Sequence, residues 1–176
     1  YVIGAPSSVR GIGIVSSGAL DVKFVLQPGE SSDARFEFGW QPGHEIYGTA
    51  YEVELAIREI DQVAEHQYTL GKEHALHFSG FGTTPVVANA PATPVTAASA
   101  GTVAAAVAPV ADACAGKPKC YSAGPYMTEV THFTGAIQGR HHVLRLTLKF
   151  RNVTAQPIIL AYHTGSSSST DNLGNR

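Results

Sequence analysis

The chain has 176 residues, enough for one sizeable hydrophobic core and too few for two full domains. Its 44% hydrophobic content supports a packed interior, while its 15% charged content lies well below the roughly 25% usual for soluble domains, a balance that suits exported β-proteins and surfaces packed against neighbours. A net charge of −2 excludes the basic footprint of a nucleic-acid binder; the densest basic stretch, Arg145, Lys149 and Arg151, falls at near-alternate places on one strand and reads as a solvated face.

Near the start, Gly11-x-Gly13 with Gly18 is loosely similar to a dinucleotide loop. No strand–helix unit follows, so the stretch reads as a turn-rich lead-in to a strand. A strand is predicted near 20–26, closed by the turn Gln27-Pro28-Gly29. Phe36, Phe38 and Trp40 then alternate with Arg35, Glu37 and Gly39, and Gln41-Pro42-Gly43 ends that strand. Tyr51, Val53, Leu55 and Ile57 alternate with Glu52, Glu54, Ala56 and Arg58, which fits a strand better than a helix. Further strands are predicted near 63–70 and 73–78, divided at Gly71.

Residues 83–113 have the composition of a Pro/Ala linker and carry no charge before Asp112. The part from 83 to 96, with Pro85, Pro91 and Pro94, reads as extended; 99–113 reads as a short helix ended or kinked at Pro109. Ordering a residue costs roughly 1–2 kcal/mol of backbone entropy. To be ordered, the run must bury Val86, Val87, Val95, Val103, Val107 and Val110 against protein, in part another copy, which makes it the predicted assembly arm.

Cys114 and Cys120 follow in the run CAGKPKC, whose Gly and Pro can bring the two sulfurs together. The spacing is not that of a CxxC redox or zinc motif, and a second ligand pair is missing. A disulfide is predicted, and with it an oxidising, extracytoplasmic compartment. Strands are then expected near 125–134, at 143–151, where Leu144, Leu146, Leu148 and Phe150 alternate with polar neighbours, and at 158–163 after a turn over 152–157. Many short strands between regular turns indicate a sandwich or barrel.

The run LRLTLKFRNVTAQPIILAYHTGSSSSTDNLGNR resembles the front half of secreted immunoglobulin-like domains of the telokin-like type. That pattern is an apolar strand ending in Asn, a turn with Pro, another strand, a polar stretch, an acidic residue and Gly-Asn; Asn152, Pro157, Asp171, Gly174 and Asn175 match it. The family's back half, Pro-Gly-Glu-Ser followed by a strand of alternate aromatics, stands at the other end as LQPGESSDARFEFGW, residues 26–40. The resemblance covers 141–176 and 1–60 and implies an all-β, immunoglobulin-like antiparallel sandwich; residues 83–125 have no counterpart in the family pattern, and the Ala/Pro-rich arm is read from composition alone. Taken with the composition and the cysteines, 1–82 supplies the C-terminal half, 83–113 the arm, and 114–176 a disulfide loop and the N-terminal half. It further implies circularly permuted order, or one period of a repeating chain, with Tyr1 and Arg176 close together. The family is functionally heterogeneous and supplies no catalytic residues.

Candidate chemistry is sparse. His141 and His142 are adjacent, and His74 and His77 are three apart, so on strands each pair points to opposite faces. His44 and His66 sit near turns or strand ends. There is no HExxH and no same-face pair with carboxylate support, so no metal or other cofactor is expected. His163, the serines at 166–169 and Asp171 supply the residue types of a hydrolase triad. Without a GxSxG elbow, the serines read as a polar loop after a strand. Asn152-Val153-Thr154 is a glycosylation sequon, relevant only in a eukaryotic source, on a turn expected to be accessible. Trp40, Tyr47 and Tyr51 flank a Gln-Pro-Gly-His loop and, if exposed, could stack on sugars; against this, alternation sends Trp40 into the core with Phe36 and Phe38.

The sequence therefore predicts a non-enzymatic, extracytoplasmic module that binds protein, assembling with itself as an oligomer or filament or with a surface partner. A carbohydrate-binding module on Trp40, Tyr47 and Tyr51 is the alternative, and a metal- or serine-dependent hydrolase stands third. No nucleic acid and no membrane span are expected.

Overall fold

The structure, a computed structural model, describes residues 6–17, 19–39, 50–82, 114, 117, 119–138 and 141–174. Every regular element among them is a strand: β1 (Ser8–Arg10), β2 (Gly13–Ser16), β3 (Ala19–Leu20), β4 (Val25–Leu26), β5 (Ser31–Gly39), β6 (Ala50–Ala64), β7 (Gln67–Gly82), β8 (Cys120–Ser122), β9 (Tyr126–Gln138), β10 (His141–Asn152), β11 (Ile158–His163) and β12 (Ser168–Asp171). One sheet has the order β1-β5-β10-β9-β8. In the other, β7 and β6 form a long hairpin, and β12 and β11 lie end to end along the far side of β6, with β2, β3 and β4 beyond β11. Each sheet mixes strands from 6–82 with strands from 120–171.

Period-two burial makes these sheets a sandwich. On β10, Leu144, Leu146, Leu148 and Phe150 are buried; on β5, Ala34, Phe36 and Phe38 turn the same way. They meet Tyr51, Val53, Leu55 and Ile57 of β6, Leu76 and Phe78 of β7, and Leu160 and Tyr162 of β11 in one core. The Phe36 and Tyr162 rings cross between the sheets edge to face at 5.6 Å. Burying each such side chain stabilises the fold by about 1.5–3 kcal/mol. A second, smaller cluster of Val15, Ile60 and Ala161 sits on the outer face of the second sheet, covered by Val22, Tyr68 and Ile159.

Most strand expectations agree with these elements; those at 63–70, 73–78 and 20–26 do not, nor do the turn expected at Gly71 and the serine loop. The strands expected at 63–70 and 73–78 are parts of one hairpin whose two-residue turn is Glu65-His66, closed by the pair Ala64 and Gln67, with His66 at φ 58°. Gly71 is therefore not a turn. It lies where the β6–β7 register shifts, between the pairs Arg58–Glu73 and Ile60–Leu70, and a Cβ there would stand 2.8 Å from the Asp61 carboxylate. The strand expected over 20–26 is split into β3 and β4. The supposed serine loop contains β12, which pairs with residues 51–54, and Ser169 is fully buried.

Gly11 and Gly13 owe their identity to close backbone approach. Gly11 has φ +77°, and a Cβ on it would lie 2.5 Å from the Asp33 carbonyl oxygen. A Cβ on Gly13 would lie 2.4 Å from the Asp21 carbonyl oxygen. Gly13 stands opposite Ala161 where β2 runs parallel to β11, so the missing side chain lets the chain double back tightly beside that pair. The arm valines Val86, Val87, Val95, Val103, Val107 and Val110, the helix expected at 99–113, and both Tyr1 and Arg176 lie outside the described residues.

Candidate functional site

The feature that stands apart is the long outer strand β7. Among the described residues β7 pairs with β6 alone, although it is 16 residues long. Register shifts at both ends leave 73–78 as an unbroken ladder of six pairs with 53–58 of β6. Its core side carries His74, Leu76 and Phe78, all buried, and its outer side carries Glu73, Ala75 and His77. Every second backbone N–H and C=O on the far side of such a strand lacks a ladder partner. Beyond this run the hairpin extends as a ribbon with Val63 and Leu70 exposed at 60% and 49%.

Ion pairs fix the strand to the sheet behind it. Glu73 Oε2 accepts from Arg58 Nη2 at 2.8 Å and meets His163 Nδ1 at 2.5 Å, which ties β7 to β6 and β11. Arg58 Nη1 also donates to the Gly71 carbonyl at 3.1 Å. On the core side, buried His74 holds Glu59 through Nε2 at 2.5 Å and packs edge to face on Tyr126 at 5.4 Å. His77 Nε2 lies 3.5 Å from Glu52 Oε2. His74 and His77 thus occupy opposite faces.

This arrangement is not a triad. Ser166 Oγ approaches His163 Nδ1 at 3.5 Å, the same nitrogen that faces Glu73. A general base needs one nitrogen for the nucleophile and the other for the orienting carboxylate. Asp171 is elsewhere, on β12, where Oδ1 accepts from the Leu173 N–H at 2.9 Å. Among the described residues no group of three or more His, Cys, Asp and Glu side chains is placed to hold a metal ion. The side chains of His141 and His142 lie outside the described part, as does His44.

Two site expectations need correction. Tyr51 is not a surface platform: it is 1% exposed, packed in the core beside Phe133, because it shares the inward face of β6 with Val53 and Leu55. Burial, with the Asp171 charge adding to it, pushes its hydroxyl pKa up to about 12. Trp40 and Tyr47 lie outside the described residues. Asn152 is not an accessible acceptor: it is fully buried. Its amide donates to the carbonyls of Leu26 at 3.0 Å and Gln156 at 2.7 Å, while its oxygen accepts from Thr154 N and Oγ1, each at 2.8 Å. The sequon residues form a structural knot at the end of β10. Cys114 and Cys120 do form a disulfide, with S–S 2.04 Å.

Sequence reasoning missed the Arg58–Glu73–His163 lattice. Its members are 15 and 90 positions apart, and only the pairing of three strands joins them. It also missed a groove on the outer face of the first sheet. There Arg10 of β1 stands opposite Arg35 of β5, and Arg35 opposite Thr147 of β10, with His132 of β9 next. The one local signal is that Arg35 alternates with buried aromatics, so it must face water.

No protein-family model, curated protein or solved structure matches the chain.

Proposed function

We propose that the chain is an extracytoplasmic, non-catalytic interaction module that assembles with copies of itself through the open edge of β7. The observation that carries this reading is the six-residue ladder at 73–78, which among the described residues is paired with β6 alone and is tied to the sheet by ion pairs from Glu73. A strand edge of this kind binds by adding a strand: main-chain hydrogen bonds supply affinity, and alternate side chains supply specificity. Two copies of one edge, run antiparallel, satisfy each other by symmetry, which makes a second copy the natural occupant. In the sequence, the charge-free run before Asp112 adds apolar residues suited to the same assembly.

The compartment assignment rests on the Cys114–Cys120 disulfide, which persists in oxidising surroundings. Among the described residues no helix is long and apolar enough to cross a membrane. Non-catalytic action is supported by the geometry at His163, where serine and carboxylate compete for one nitrogen.

The test is light scattering across a concentration series on the full chain, on Ala75→Lys, and on a deletion of 85–110. Ala75 lies on the outer side of the edge, and a lysine there is a standard block to strand addition. Concentration-dependent assembly of the full chain, lost in Ala75→Lys with an unchanged far-UV spectrum, is expected. A monomeric full chain, or a lysine variant that assembles normally, overturns edge pairing. A deletion that alone abolishes assembly moves the contact to the arm.

A further inference from the structure

We propose a second binding surface, separate from the β7 edge: the groove across β1, β5, β10 and β9 takes an acidic polysaccharide. The groove has a volume of about 690 Å³, within the range of ligand sites. Arg10, Arg35, Arg145 and His132 all face into it, against one carboxylate, Glu37. Three arginines to one acid is a local excess of positive charge on a chain whose net charge is −2.

The arginines are not equivalent. Arg145 Nε is held by Glu37 Oε2 at 2.8 Å. Arg10 and Arg35 are exposed, and among the described residues neither side chain makes a hydrogen bond or an ion pair. They also stand directly opposite each other on neighbouring strands. Like charges in that position repel, and the arrangement costs stability unless an anion lies between them. A guanidinium fork matches the two oxygens of a carboxylate or sulfate.

The layout favours a polymer over a single small anion. Arg10 and Arg35 share one cross-strand row, while Arg145 lies one strand further and one row along. Strand spacing and rise place these backbone positions roughly 5 Å and 8 Å apart. A chain that carries an anion on successive residues meets all three. Ser8 and Thr147 line the same groove and offer hydroxyls to sugar hydroxyls. Single-stranded nucleic acid fits less well, because it needs a series of exposed rings on which successive bases stack, and the lining offers one, His132. Phe36 lines the floor, but its ring turns into the core and it is 1% exposed.

The experiment is calorimetric titration of the full chain with polygalacturonate, which carries carboxylates, heparin, which carries sulfates, neutral dextran, and a single-stranded oligonucleotide of matched charge. Binding to one or both acidic polysaccharides, weakened by salt, with none to dextran, is expected. The two acidic polymers distinguish carboxylate from sulfate recognition. The Arg10→Ala/Arg35→Ala double variant should lose about tenfold or more in affinity, as removal of two charge-assisted contacts implies. Lys149→Ala, outside the groove, should stay within about twofold under the same criterion. Absence of binding to both acidic polymers at low salt overturns the proposal. So does a double variant that binds like the parent with an unchanged far-UV spectrum, or an oligonucleotide that binds as tightly as the polysaccharides.

Discussion

Replacing Asn152 by Ala separates a structural sequon from an accessible one. The side chain makes four hydrogen bonds, to the Leu26 and Gln156 carbonyls and from Thr154 N and Oγ1, and its residue is fully buried. The bond to Leu26 lies in the interior, where leaving a carbonyl without its partner costs about 1–3 kcal/mol. The other three are partly buried, and each contributes about 0.5 kcal/mol at the low end of the usual net range. Together the loss comes to about 3 kcal/mol. For a domain of this size that lowers Tm by about 6–12 °C. With an m-value of about 2 kcal/mol/M, it moves the urea midpoint down by about 1.5 M. Thr154→Val keeps the amide and its two donated bonds, so it should lose only about 1 kcal/mol. Urea unfolding followed by circular dichroism measures both. An Asn152→Ala protein within about 0.5 kcal/mol of the parent, the scatter of ordinary surface changes, would show that the amide does not anchor the end of β10.

Three further outcomes follow from the same geometry. Glu59→Leu leaves the buried His74 imidazole without its carboxylate and should destabilise by about 1–3 kcal/mol in urea unfolding at neutral pH; adding His74→Leu should recover much of the loss, and a double variant as unstable as the two singles combined counts against a coupled pair. Tyr51, raised to about 12, and Tyr126, raised by burial with Tyr121 and Glu59 adding, are held neutral in the fold. Both folded values lie above the unfolded 10, so this stabilisation is complete below pH 10 and is lost as pH rises through the folded values. Tyrosinate absorbance for these two should therefore appear together with loss of the β-sheet signal; ionisation near pH 10 in an intact fold contradicts the burial argument. Gly13→Ala sets a Cβ 2.4 Å from the Asp21 carbonyl oxygen and should cost about 2 kcal/mol or more, read as a lower Tm.

The strands that were legible in the sequence are those with one wet face and one dry face. Leu144, Leu146, Leu148 and Phe150, and likewise Tyr51, Val53, Leu55 and Ile57, carry the period of two in their side chains, and the core uses that period directly. The same alternation already ranked Tyr51 with Val53 rather than with the surface, so the platform reading of Tyr51 conflicted with a stronger local signal. Gly71 was illegible for a different reason. Glycine marks any place where a Cβ cannot fit, and here the obstacle is the Asp61 carboxylate rather than a reversal of the chain. The true reversal, Glu65-His66, contains none of the residues that usually announce one. β12 was hidden because four residues of Ser, Thr and Asp have no apolar period; its place is set by pairing with β6.

Neither candidate surface has a residue signature, and the cause is physical. The proposed β7 edge would act through main-chain N–H and C=O groups, which nearly every residue type carries, so its availability depends on which of the described strands pair with it. The proposed groove site would act through Arg10 and Arg35, which are 25 positions apart and become neighbours only through the β1–β5 ladder. Sequence patterns report how each strand sits against its own core. The two proposed functions depend on what the sheets leave unpaired at their edges, among the described residues, and place side by side on their outer faces, and both are properties of strand order. The two proposals therefore fail independently. Blocking 73–78 should leave the groove's affinity for acidic polymers unchanged, because the edge and the groove lie on different sheets. Removing Arg10 and Arg35 should likewise leave assembly intact. A single substitution that abolished both would point instead to one shared interface and would overturn the separation argued from the fold.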